Sequence, residues 1–133
     1  MIIAEQIANY LFYLELGTYS PEGIDGNIFI NALPEGREMI SIYNRGGTEI
    51  DILNGYEKIG IQIIYRGTEN PVYSFEIAQD LFRALTEVIS MELIQGGNFI
   101  IGITAIQGQP EMLGRATAGE FEYTMNFVVE YKV

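Results

Sequence analysis

The stretch Lys58–Leu93, KIGIQIIYRGTENPVYSFEIAQDLFRALTEVISMEL, decides the fold. Its first nine residues alternate Ile59, Ile61, Ile63 and Tyr65 with Gly60, Gln62, Ile64 and Arg66, a period of two that sends one set to each face of a sheet. Apolar residues fall on both faces, which predicts a central strand. Gly67 to Asn70 breaks the alternation, and Pro71 suits a first helical position because its missing N–H has no partner there. Asn70 is the expected N-cap. Phe75, Ala78, Leu81, Phe82, Leu85, Val88 and Ile89 then recur at three- and four-residue steps, which predicts one apolar stripe on a helix running to Gly96-Gly97. On its polar side Arg83 is spaced to pair with Asp80 or Glu87.

Working outward, Ile3, Ile7, Leu11 and Leu14 mark a first helix, with Tyr10 beside them and Gly17 as its stop. Thr18 to Gly26 reads as a surface loop. Asn27 to Leu33 is a short predicted strand, and the turn Pro34-Glu35-Gly36 leads to a second, Met39 to Tyr43, as its hairpin partner. Gly47 to Tyr56 is expected to be an exposed loop. On the far side of the helix, Asn98 to Gln107 predicts a strand whose Gly102 marks a bulge or a close neighbour. Gly108 to Gly119 is expected to be a long surface connection, and Glu122 to Val133 alternates as a half-buried last strand. The expected architecture is a single α+β domain over residues 1–133, with two main helices on a largely antiparallel sheet of about five strands in the order α-β-β-β-α-β-β.

A chain of 133 residues suffices for one core, and its 48% apolar content argues for a globular state. It has no Cys and no His, which removes disulfides, the usual near-neutral acid/base, the Ser-His and Cys-His dyads and imidazole metal ligands. No apolar run is long enough to predict a membrane span, and Glu5 and Glu15 within the first sixteen residues argue against a signal peptide. Eighteen acidic residues against seven Lys and Arg give a formal charge of −11, which predicts repulsion from nucleic acid.

Candidate chemistry is sparse. Glu49, Asp51 and Glu57 offer oxygen ligands for a hard cation, but their spacing matches no EF-hand and a solvated acidic loop is the preferred reading. Gly46-Gly47 lacks the following helix of a phosphate cradle, and Ser41 and Thr48 have no His to activate them. No catalytic residue, cofactor or metal is therefore expected. Arg66 and Arg115 are isolated cations in an acidic chain, either balancing nearby acids or anchoring a partner's carboxylate. With Asp51 they form the candidate interface set. The long loops are the other feature a compact domain would use against a partner.

Gly26-Asn27-Ile28-Phe29, Leu33-Pro34, Gly46-Gly47, Arg66-Gly67 ahead of a helix, the run Gln109 to Arg115, and Asn126-Phe127 in the last strand resemble, in that order, the minor capsid or tail terminator proteins of long-tailed phages and prophages. The resemblance covers nearly the whole chain. It implies a virion structural protein, assembled in the host bacterial cytoplasm, that forms a six-membered ring on the last ring of tail-tube protein. Such a ring stops tube growth, presents a surface to the neck of the capsid, and lets DNA pass without specific binding. The alternatives are another head-tail completion protein of the neck and a non-catalytic α+β binding module.

Overall fold

The computed structural model describes residues 1–22, 25–35, 38–47 and 55–133. Their fold is α+β, with two helices on one face of a seven-stranded sheet. The elements run α1 (Ile3–Tyr13), β1 (Ile28–Ile30), β2 (Met39–Gly47), β3 (Tyr56–Arg66), α2 (Pro71–Thr86), β4 (Ile89–Glu92), β5 (Phe99–Ala105), β6 (Glu111–Arg115) and β7 (Phe121–Lys132). In space the strands lie β1-β2-β3-β7-β5-β4, with β6 also paired to β7. Every pairing except β1 with β2 is antiparallel.

The central-strand reading of β3 holds, because β2 and β7 flank it on either side. Its Ile61, Ile63 and Tyr65 are buried with Ile40 and Ile42 of β2 and Tyr123, Met125, Phe127 and Val129 of β7. The helices cover this face, where Ala4, Ile7, Ala8 and Leu11 of α1 and Ala78, Leu81 and Leu85 of α2 complete the core. Phe75 and Phe82 of α2 reach the rings of Tyr123 and Phe127, at 5.9 and 5.8 Å between centroids. At the start of α2 the Asn70 side chain accepts from the Val72 and Tyr73 amides, as the N-cap reading requires.

Four expectations are corrected. First, α2 ends at Thr86, and residues 89–92 form an edge strand paired with β5. Thr86, Val88 and Ile89 are β-branched and favour extended backbone. Gly96, at φ 81°, turns the β4–β5 connection instead of capping a helix. Second, α1 is closed by Glu15, at φ 62°, with the Leu16 amide bonded to the Leu11 carbonyl. Gly17 answers a packing need, since a Cβ there would lie 2.9 Å from Ile28. Third, β1 runs parallel to β2, in register Ile28 with Ile40, so the two are not a hairpin. Beyond Ile30 the chain turns at Asn31, φ 54°, and crosses the sheet face opposite the helices. Ser41 Oγ donates to the Ala32 carbonyl at 2.6 Å there, and Arg66 Nη1 to the Pro34 carbonyl at 2.5 Å. Fourth, the connection predicted over 108–119 contains β6, which together with β4 gives the sheet seven strands where about five were expected.

β7 organises the sheet. Along its whole length β3 lies on one side, from Tyr56 opposite Lys132 to Arg66 opposite Glu122. On the other side β5 and β6 share the length, β5 against residues 127–131 and β6 against 121–124. Gly102 marks the shift in register between β5 and β7, and nothing lies within 4 Å of its missing Cβ, so the glycine reflects a bulge and not a close neighbour. Where β5 gives way to β6, the Gln107 side chain stands in for a peptide unit. Its Nε2 donates to the Thr124 carbonyl at 2.8 Å, and its Oε1 accepts from the Asn126 amide at 3.2 Å. Replacing Gln107 by Ala removes both of these bonds to β7. The expected outcome is a loss of about 1–3 kcal/mol in denaturant unfolding, with the m-value unchanged.

Candidate assembly interface

β6 borders β7 and has no second strand beside it among the described residues. Half of its backbone N–H and C=O groups therefore point away from the sheet, ready to pair with another extended chain. This five-residue edge is charged at both ends, by Glu111 and Arg115, and between them carries Met112, 57% exposed, and Leu113, 56% exposed. A bulge between Met112 and Gly114, with Gly114 at φ 135°, puts both side chains on the surface. β4 supplies a second edge with an exposed apolar residue, Ile89.

Beside β6 lies a cleft of about 490 Å³, lined by Leu33, Glu35, Arg66, Arg115, Glu120 and Glu122 among others. It brings together both arginines singled out in the sequence. They differ in what holds them. Arg66 is buried, and its Nε and Nη2 each lie 3.0 Å from Glu122 Oε2, while Nη1 holds the Pro34 carbonyl. The cross-strand register sets this pair, since Arg66 and Glu122 face each other directly. Arg66 thus pins the crossing segment to the sheet, as an internal tie. Arg115 is exposed at the last position of β6, with its guanidinium 4.6 Å from the centre of the Phe121 ring. Among the described residues no carboxylate forms an ion pair with it. Asp51, the third candidate, lies outside the described residues, as does most of the predicted loop from Gly47 to Tyr56.

Of the acidic trio considered for a cation, Glu57 is the described member. It sits on β3 and accepts from the Tyr131 hydroxyl at 2.5 Å, and burial followed by this bond pushes that phenol up to about 12. Among the described residues no group of three or more His, Cys, Asp or Glu side chains is placed to hold a metal, and no helix is long and apolar enough to cross a membrane. The sheet face opposite the helices carries a polar row, with Arg45 Nε on Gln62 at 2.7 Å and Gln62 on Thr124 at 3.0 Å.

Met112 and Leu113 were missed in the sequence because two glycines and a proline around them read as loop. The signal was a short apolar pair between Glu111 and Gly114, too brief to show a period of two.

The two arginines make different demands on stability. Removing Glu122 by Glu122→Ala strands the buried Arg66, and the expected cost is about 3 kcal/mol, at the low end for a broken buried pair because Glu122 keeps some solvent. Arg115→Ala loses an exposed ring contact and is expected to cost under about 1 kcal/mol. Chemical denaturation of the two variants reads the difference.

Residues 10–133 match a family model described as bacteriophage tail terminator protein. No curated protein matches the chain.

Proposed function

This chain belongs to the bacteriophage tail terminator family, and from that premise we propose that it acts by assembly, as a ring of six subunits that caps the tail tube and joins tail to head. Family membership makes it a structural component of the phage tail and of the virion. The observation that carries the finer reading is the free edge of β6, where unpaired backbone and two exposed apolar side chains share a strand with Arg115, which lines the cleft. A closed ring requires two different surfaces on each subunit. β6 with its cleft supplies one, and the separate β4 edge, with exposed Ile89, is a second of different shape.

The charge supports the same reading. A lumen rich in carboxylates repels phosphate, so DNA passes without being held. It also sets a condition on assembly, because six chains of −11 carry roughly −66 together, and their repulsion falls as salt shortens the screening length. The partners in this scheme are the last ring of tail-tube protein on one side and a neck protein on the other. Chemistry plays no part in it.

The test is solution mass by light scattering, alone and with tail-tube protein, at low and moderate salt. The expected result is a six-subunit species at moderate salt or in the presence of tube protein, lost in the double variant Met112→Lys, Leu113→Lys, whose edge carries the charges that block strand pairing. A monomer under every condition, or a double variant that assembles as well as the parent, contradicts the proposal.

A further inference from the structure

A second concavity, of about 450 Å³, lies between the end of α1 and the start of α2. Its walls include Phe12, Glu15, Glu38, Tyr65, Tyr73 and Ile77. Glu38 is held from within the fold. Its Oε1 accepts from the Tyr65 hydroxyl at 2.7 Å and from the Tyr73 hydroxyl at 3.3 Å. Its other oxygen, Oε2, accepts from no group among the described residues. Nor is any buried side-chain oxygen among them left without a partner, so Oε2 meets solvent. Both phenols are raised above their ordinary value, Tyr65 chiefly by burial and Tyr73 chiefly by the charge of Glu38. They remain donors at neutral pH, and the carboxylate keeps one orientation.

We propose that this cleft receives a Lys or Arg side chain of a partner protein, with Glu38 Oε2 and the Glu15 carboxylate meeting its charged head and the rings of Phe12 and Tyr73 its flank. Among the described residues no Lys or Arg lines the cleft, so none of them compensates its two carboxylates. Aromatic faces add attraction for a cation, and here Phe12 and Tyr73 are both partly exposed at the cleft. The apolar share of the walls selects against a bare metal ion. Calcium requires six to eight oxygens, whereas Phe12, Leu16, Ile40 and Ile77 suit the methylene stem of a long basic side chain. A chain of −11 in a multi-protein tail also gains orientation from a partner of opposite sign.

The inference rests on the tail-assembly reading only in taking the partner to be another tail component. The cleft belongs to one subunit, so it is tested on the isolated chain at low salt, where failure of the cleft and failure of the ring are separate results. The probes are N-acetyl-arginine methylamide and N-acetyl-lysine methylamide, with the neutral N-acetyl-citrulline methylamide as control, followed by amide chemical shifts. Saturable shifts at Phe12, Glu15 and Tyr73 are expected with at least one cationic probe and not with citrulline. Glu38→Gln keeps an acceptor for both phenols but removes the charge, and it is expected to weaken that binding at least tenfold. No saturable shift, an equal response to citrulline, or unchanged affinity in Glu38→Gln overturns the proposal. If Glu38→Gln fails to fold, the comparison of cationic and neutral probes on the parent chain decides.

Discussion

β7 is paired along both edges, and the other strands are arranged to meet that demand. Twelve residues long, it takes β3 on one side and must find partners for every ladder group on the other. No single strand does this. β5 covers one half, β6 the other, and the Gln107 carboxamide closes the gap between them. The division has a structural consequence at the surface. β4 covers the outer side of β5 and leaves β6 open, so completing the centre of the sheet creates an unpaired edge near its rim.

The two faces of the sheet divide the remaining work. The helix face holds the apolar core, with α1 over β1 and β2 and α2 over β5 and β7. On the other face residues 31–35 lie across the sheet, fixed by Ser41 and by the Arg66–Glu122 pair. A buried ion pair gives little net stability compared with apolar residues of similar size, but losing either partner is costly. Its role here is positional, because it holds Leu33 and Glu35 beside the cleft that adjoins β6. The internal arginine shapes the cleft, and the exposed one lines it.

Much of this was legible in the sequence where the periodicity was long. β3, β7 and the body of α2 have enough residues for period two or 3.6 to stand out, and Asn70-Pro71 marked the helix start through its own chemistry. The failures occur where tertiary pairing overrode local signals. Val88 and Ile89 fit the helical stripe as well as they fit a strand, and pairing with β5 decided between them. Pro34 and Gly36 mark a turn in most contexts, yet the parallel partnership of β1 with β2 follows from the crossing segment's contacts, which sequence does not display. Five-residue β6 is too short for a pattern and becomes a strand because β7 has an edge to fill. For the candidate site, sequence located Arg66 and Arg115 but not their difference in burial, which depends on Glu122 opposite one and Phe121 beneath the other.

We propose that the subunit meets its neighbours at the open edge of β6. Amide hydrogen exchange, compared between the isolated chain and the chain assembled with tail-tube protein, tests it most directly. In the isolated chain β7 is expected to exchange slowly and the outward amides of Glu111–Arg115 quickly. On assembly those β6 amides are predicted to become protected while β7 stays as it was. Assembly that leaves β6 exchanging at its original rate places the contact elsewhere on the subunit.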